Sequence, residues 1–438
     1  MLPAVLIERA EFADLCLLAT HRQACWKRQR EYVATASALH RRVWAGREPP
    51  KRLEDLPALP LIDKEMLRES QRAHPPFGDY LAAPAEKIAR IHRTSGTTGI
   101  AINLALSAHD AAETARIGGR AHALAGLGPG QRVIHCLNYR LWMGGFTDHT
   151  TLEATGATVV PFGIGETRLL IETIQALGIT AISCTPSYPA VLERVLAAEF
   201  PTLRPRDLRL RLGLFGGEAG LDDPNFRRRI EETWGMAARN ANYGVSDVLS
   251  NFAAETGENH DLHFLALDAL QPELIEPQSG APLPWRRGTQ GELVLTHLDR
   301  ECQPLVRFRT GDIILLTGTD PRAAGITAPR FRVVGRSDDL VVVRGINAFP
   351  SQVAAIVNRH AALSGEYRIV LEGPGPYDIL PIEVELAEGV PEAPALAEAV
   401  AAAFKRDLGL TARVRLLPFA SLPRTEGKTR RLVRKKEP

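Results

Sequence analysis

At 438 residues the chain is too long for one small domain, and about 150 residues per domain gives a soft expectation of two or three. With 45% hydrophobic and 24% charged residues, and only 36 Gly and 31 Pro, the composition is that of a packed globular protein and excludes low complexity. Fifty-three basic residues against 51 acidic ones leave a net charge of +2, which excludes a global pull toward nucleic acid. The five cysteines (Cys16, Cys25, Cys136, Cys184, Cys302) are scattered and include no C-x-x-C. That argues against a disulfide framework or structural zinc and fits a reducing compartment. No apolar run approaches about 18 residues, so a cytoplasmic protein that meets neither membrane nor nucleic acid is expected. The basic cluster from Arg424 to Lys436 reads, in its last few residues, as a solvated tail.

The first ninety residues read as polar helix followed by a proline-punctuated stretch, Leu53 to Pro60, and Asp63 is placed to cap a short helix through Arg68. From about Arg90 short apolar runs alternate with helical segments. Strands are expected at Val133–Leu137, Thr158–Val160, Ala181–Cys184 and Leu210–Phe215. Helices are expected at His109–Ala125, Glu166–Leu177, Pro189–Ala198 and Asn225–Trp234. The alternation indicates βαβ units around a mostly parallel sheet. After about Thr256 the closely spaced runs Glu292–Thr296, Ile313–Thr317 and Phe331–Val334 suggest an antiparallel sheet or small barrel. A break at Gly335–Asp339 precedes a small α+β unit with strands at Tyr367–Leu371, Ile382–Leu386 and Ala412–Leu417 and a helix at Ala395–Leu408. The fold class is therefore α/β: a large domain, residues 1–335, and a small α+β domain, residues 336–438.

Four stretches carry chemistry. Arg93-Thr-Ser-Gly-Thr-Thr-Gly99 combines hydroxyls with glycines that let backbone N–H groups wrap a polyphosphate; it lacks the Gly-Lys-Ser/Thr of a Walker A loop. Asn242-Tyr-Gly-Val-Ser-Asp247 offers an aromatic face to a base and a hard carboxylate oxygen to Mg²⁺. In Arg307-Phe-Arg-Thr-Gly-Asp312 the carboxylate follows a Gly turn, where it can accept both hydroxyls of a ribose. Finally, Gly427 lets the backbone turn and project Lys428 as a compact point charge. Taken singly, each reads more readily as a turn, a buried tyrosine or one more basic residue of a tail.

Their order removes that ambiguity. The Thr/Ser/Gly loop, Gly-Gly-Glu218, Tyr-Gly-x-Ser-Asp, Arg-Thr-Gly-Asp, Gly-Arg-x-Asp-Asp and a late Gly-Lys together resemble the adenylate-forming superfamily of acyl-CoA synthetases, adenylation domains and luciferases. Within it the chain is most similar to the phenylacetate–CoA ligase branch, over nearly its whole length. The resemblance implies an ATP-dependent activation of a small-molecule carboxylic acid, aromatic or arylacetic, to an acyl-adenylate. The acyl group then passes to CoA, after a rotation of the C-terminal domain, with release of AMP. ATP, Mg²⁺ and CoA are the implied cofactors and cosubstrate. A homodimer is implied as well, although no residue pattern derives one.

By the same resemblance Thr94, Ser95, Gly96, Thr97, Thr98 and Gly99 cradle the β/γ-phosphates, with Ser246 near the α-phosphate and Asp247 at the magnesium. Gly216, Gly217, Glu218, Asn242, Tyr243 and Gly244 surround the adenine. Asp312 holds the ribose, helped by Arg336, and Asp338 is the hinge. Arg344 and Gly345 meet the pantetheine arm, and Lys428 is the adenylation lysine that bridges carboxylate and α-phosphate. Tyr139, Trp142, Gly144 and Gly145 lie beside the acyl group, although the two aromatics fit a core equally well.

Two departures stand out. Ile100 and Ala101 follow Gly99 where the superfamily continues with Lys and Pro, and Asp247 replaces the usual Glu. His260, His263 and Cys302 make no convincing zinc set. Two alternatives keep parts of the reading. One hands the acyl group to an amine, a hydroxyl or a carrier protein; the other is a nucleotide or acyl-adenylate binding module without turnover.

Overall fold

Asp63 ends the proline-punctuated stretch as expected: its carboxylate accepts the backbone N–H of Met66 at 2.9 Å and starts a helix that runs beyond Arg68 to Ala73. The computed structural model describes residues 15–94, 101–218, 220–319, 326–344, 346–373, 377–423 and 431–435. The chain divides into two compact units, Met1–Gly217 with Thr233–Val333, and Glu218–Glu232 with Val334–Pro438.

The first unit opens with α1 (Leu15–Ala36), α2 (Ala38–Trp44) and α3 (Lys64–Ala73), then an antiparallel pair β1 (Ile88–Arg93) and β2 (Asn103–Ser107). Next come α4 (Ala108–Leu124), β3 (Arg132–His135), α5 (Met143–Glu153), β4 (Thr158–Pro161), α6 (Thr167–Leu177), β5 (Ala181–Cys184), α7 (Tyr188–Glu199) and β6 (Leu212–Gly216); α8 (Pro224–Trp234), which follows in the chain, belongs mostly to the second unit. The remaining strands are β7 (Ala237–Val245), β8 (Leu249–Ala254), β9 (Leu262–Phe264), β10 (Leu270–Ile275), β11 (Pro282–Leu283), β12 (Gln290–His297), β13 (Phe308–Gly318) and β14 (Arg330–Arg336).

The parallel sheet and the antiparallel strands expected after it are one continuous 12-stranded sheet, in the order β11-β10-β12-β13-β14-β9-β8-β7-β6-β5-β3-β4. Strand β7 joins the halves, parallel to β6 and antiparallel to β8. The parallel strands β5 and β6 are buried throughout, as strands covered on both faces must be. Phe252, Phe264, Phe308 and Phe331 pack with Leu295 and Ile314 into the main core of the antiparallel half.

Helix α5 has no apolar stripe and carries Gly144-Gly145 in its first turn, so helix propensity alone does not announce it. Tertiary contact holds it instead. A Cβ on Gly118 of α4 would sit 2.3 Å from Thr151 Cγ2, so the two helices meet without a side chain at that position.

The second unit pairs β15 (Val341–Val343) with β16 (Ile346–Ala348), followed by α9 (Pro350–Val357), β17 (Leu363–Glu372), β18 (Leu380–Leu386), α10 (Pro394–Leu408), β19 (Ala412–Leu417) and β20 (Leu432–Lys435). Its four-stranded sheet has the order β19-β18-β17-β20. Ile382 and Val384 alternate with Glu383, putting the apolar side against Phe404 and Val400 of α10.

Candidate active site

The phosphate-loop residues Ser95 to Gly99 lie outside the described residues, but both flanks are placed. Strand β1 ends at Arg93, which pairs with Asn103 of β2. Thr94 is buried, its N–H donating to the Ile102 carbonyl at 2.9 Å and its hydroxyl accepting the Ile102 N–H at 3.0 Å. Arg93 donates its own N–H to the carbonyl of Leu141 at 2.8 Å. The segment expected to meet the acyl group therefore runs directly beside the base of the phosphate loop.

His92 reinforces this junction. Its Nδ1 donates to the Leu141 carbonyl at 3.2 Å, so its Nε2 accepts the Thr147 hydroxyl, 2.7 Å away. Burial lowers its pKa to about 4 and keeps it neutral. His135, at the end of β3, plays the matching role: its Nε2 donates to the carbonyls of Gly144 and Gly145 at 2.9 and 3.1 Å, and Ser183 Oγ donates to Nδ1 at 3.1 Å. Burial brings it to about 4 as well. His135 thus holds the first turn of α5 through its backbone, while His92 holds the Leu141 carbonyl before it and the Thr147 hydroxyl within it.

Tyr139 is half-buried and its hydroxyl lies 2.9 Å from His149 Nδ1, while His149 Nε2 approaches Glu153 at 3.2 Å. Trp142 is half-buried at the cap of α5 and bridges Arg93. Gly145 is required where it stands: a Cβ there would fall 2.3 Å from the carbonyl oxygen of Asn138. Both aromatics are half-buried.

On the nucleotide side, Gly216 ends β6 opposite Asn242 of β7. Gly217 follows it with φ +81°, and Glu218 falls in the second unit. Tyr243 donates its hydroxyl to Asp312 Oδ2 at 2.8 Å, although 69 residues separate them, and its ring meets Phe252 and Phe331 edge-on at 5.3 Å. The residue assigned to the base and the residue assigned to the ribose are thus in direct contact. Asp312 is 7% exposed. Gly244, Ser246 and Asp247 complete the return from β7 to β8.

Asp247 Oδ2 accepts Lys64 Nζ at 2.8 Å, and Asp247 Oδ1 is buried without a hydrogen-bond partner. Lys64 was not singled out from sequence; its position one residue after the Asp63 cap was the available signal. The orphaned oxygen fits a Mg²⁺ that takes one protein carboxylate and fills its shell from a triphosphate and water. Among the described residues no group of three or more His, Cys, Asp or Glu could hold a metal on its own.

The largest surprise is Asp148 on α5. It is 3% exposed, and its Oδ2 accepts Asn242 Nδ2 at 2.6 Å. Burial pushes its carboxyl up to about 7, against the opposing influence of Asn242 and Ser250. Thr94, the Leu141 loop, α5, Asn242, Tyr243 and Asp312 form one connected path through the first unit.

In the second unit the Arg336 guanidinium pairs with Asp338 at 2.9 Å, so the residues expected at the ribose and at the hinge are in contact. Arg344 adopts φ +49°, donates its N–H to the Tyr377 carbonyl and pairs with Asp378 at 3.3 Å. Gly345 and Lys428 lie outside the described residues. A cavity of about 540 Å³ lined by Asp261, Arg287, Thr317, Arg330 and Arg332 contains none of the motif residues.

The AMP-binding enzyme C-terminal domain family matches residues 345–436. Phenylacetate-coenzyme A ligase of Thermus thermophilus is 34% identical, covering 93% of this chain and 94% of that protein. The chain belongs to the phenylacetate–CoA ligase family. The enzyme of the same name from Escherichia coli is 31% identical over 97% of this chain and 96% of its own length. A solved structure of 2-hydroxyisobutyryl-CoA ligase, in the postadenylation state with 2-HIB-AMP, is 30% identical. It superposes with a TM-score of 0.85, over 95% of this chain and 90% of that one. No helix among the described residues is long and apolar enough to cross a membrane.

Proposed function

We propose that the chain is an AMP-forming carboxylic acid–CoA ligase acting on an aromatic or arylacetic acid. In the first half-reaction a carboxylate oxygen forms a bond to the α-phosphorus of ATP, the bond to the β-phosphate oxygen breaks, and pyrophosphate leaves. In the second, the CoA sulfur attacks the acyl carbonyl, and the bond to AMP breaks as the thioester forms. An anion attacking a polyanion gains most from alignment and charge neutralisation.

The observation that carries this reading is the connected path from the foot of the phosphate loop to Asp312, which sets an acyl-binding helix between a phosphate loop and a base-and-ribose pair. Tyr243 packs on the adenine and, through its hydroxyl, holds Asp312 ready for the ribose diol, with Gly216, Gly217, Glu218, Asn242 and Gly244 around the base. Ser246 stands at the α-phosphate. Asp247 would hold Mg²⁺, which supplies charge neutralisation at the phosphates. Lys64, beside Asp247, offers the cation that Ile100 does not. Lys428 bridges carboxylate and α-phosphate, Arg336 assists at the ribose, Asp338 is the hinge, and Arg344 with Gly345 receives the pantetheine arm.

The test is ATP–pyrophosphate exchange against benzoic and arylacetic acids, each with and without CoA. Acid-dependent exchange, with AMP and thioester appearing only when CoA is present, is the expected result. Exchange that CoA never converts to thioester would move the acceptor to an amine, hydroxyl or carrier protein.

A further inference from the structure

The cavity of about 540 Å³ lies wholly within the first unit, and four stretches of chain build it. Asp261 stands just before β9, Thr317 near the end of β13, and Arg330 and Arg332 on β14, the strand between those two in the sheet. The fourth stretch is the turn that carries Arg287. Two backbone bonds hold it against β13: Gly288 N–H donates to the Leu316 carbonyl at 2.8 Å, and Leu316 N–H to the Thr289 carbonyl at 3.0 Å. Residues 330 and 332, two apart on a strand, share one face, so both guanidinium groups turn toward the same space.

The carboxylate there is already committed. Asp261 Oδ1 accepts Arg332 Nε at 2.6 Å, and Oδ2 accepts the Thr317 hydroxyl at 2.8 Å. Burial pushes this carboxyl up, but Arg332, Thr317 and Arg330 outweigh burial and hold it below its ordinary value, so it stays ionised. Among the described residues lining the cavity, one negative charge thus faces three positive ones. Arg330 is 3% exposed, and its guanidinium lies where a neighbour has no side chain: a Cβ on Gly318 would fall 2.1 Å from Nη2. Arg287 is exposed and has no ion-pair partner among the described residues.

Two positive charges in excess, with one guanidinium buried, are costly unless an anion completes them. Guanidinium forks match the oxygens of a phosphate, and a dianion matches the excess. Leu315 and Leu316 add an apolar wall too small for a mainly apolar ligand. The volume falls within the range of about 300–1,000 Å³ usual for small-molecule sites and leaves room for an organic group beside the phosphate.

We infer that this cavity binds a phosphate-bearing small molecule, with Arg287, Arg330 and Arg332 on its dianionic phosphate and the two leucines beside its organic part. It contains none of the residues proposed for adenylation, and the inference stands whether or not the ligase reading holds.

The test is isothermal titration of the intact chain with inorganic phosphate and with glycerol 3-phosphate, at about pH 7.5, where both carry close to two charges. Acetate, a monoanion, is the control at matched ionic strength. Arg287→Ala and Arg287→Glu are the variants, since an exposed side chain on a turn can be replaced without loss of the fold, and melts in phosphate-free buffer check that it is kept. The wild type is expected to bind both phosphates with Kd below about 1 mM, and acetate at least about ten-fold more weakly. Arg287→Ala weakens phosphate binding about ten-fold, and Arg287→Glu abolishes it. Phosphate that binds all three proteins equally well sits elsewhere, as at the phosphate loop, and overturns the inference. Acetate matching phosphate, or no heat of binding up to about 10 mM, overturns it as well.

Discussion

Two aspartates of the first unit are almost equally hidden from solvent and behave in opposite ways. Asp110, in the first turn of α4, is 1% exposed; Asp148, on α5, is 3% exposed. Burial pushes both carboxyls up. At Asp110 it is outweighed by the Arg300 guanidinium and by the N–H groups of Glu301, Cys302 and Ser107, at 2.9, 2.9 and 3.1 Å, and the pKa falls below the usual value. At Asp148 the donors are too few, and the carboxyl reaches about 7. What separates a buried carboxyl that stays ionised from one that keeps its proton is thus the charge and number of the donors facing it, not its depth.

The contrast is broken most directly at Asp110. Asp110→Ala leaves Arg300, itself buried, and three backbone N–H groups without their acceptor, and is expected to destabilise the protein by about 3–5 kcal/mol. Urea unfolding measures the loss. A midpoint close to wild type would show that Asp110 is not the clamp its contacts describe.

The second expectation concerns sign. Unfolded, the Asp148 carboxyl ionises near 4; folded, it keeps its proton to about 7. The folded state therefore holds the extra proton between those values, so the contribution of Asp148 is greatest below about pH 4 and declines until pH 7 is passed. Asp110, with its pKa lowered, contributes above its unfolded value and loses that contribution in acid. Between pH 4 and 8 the stability of wild type relative to Asp148→Asn should fall by on the order of 3–4 kcal/mol. Thermal melts of the two proteins across that range test it, and parallel curves would contradict it.

A smaller effect is expected at Asp312. Asp312→Ala removes the acceptor of the Tyr243 hydroxyl and, on the proposed reading, of the ribose diol; it should raise the KM for ATP about 10- to 100-fold and lower stability by only about 1–3 kcal/mol. An unchanged KM would detach Asp312 from the nucleotide.

Much of the fold is legible in residues that interact locally. Helix α6 and strands β5 and β19 fall within one residue of where periodicity puts them, because their apolar residues repeat at the period of the element they form. Helix α5 escapes that logic, since its glycines weaken it locally and packing on α4 decides its state. The motif residues proposed for the nucleotide stand out in the sequence because short stretches carry several of them together. Asp148 was not, because it borders no turn and no motif. Its partner Asn242 lies 94 residues away, and only the folded chain shows the pair.

Strand β7 gives the site a dependence on assembly. Asn242 and Tyr243 are consecutive, yet the first is anchored to α5, between β3 and β4 of the parallel half, and the second to β13 of the antiparallel half. A chain in which only one half has condensed can satisfy one of these residues and leaves the other without its partner. The two side chains reach their native partners only when both halves have closed on the same strand.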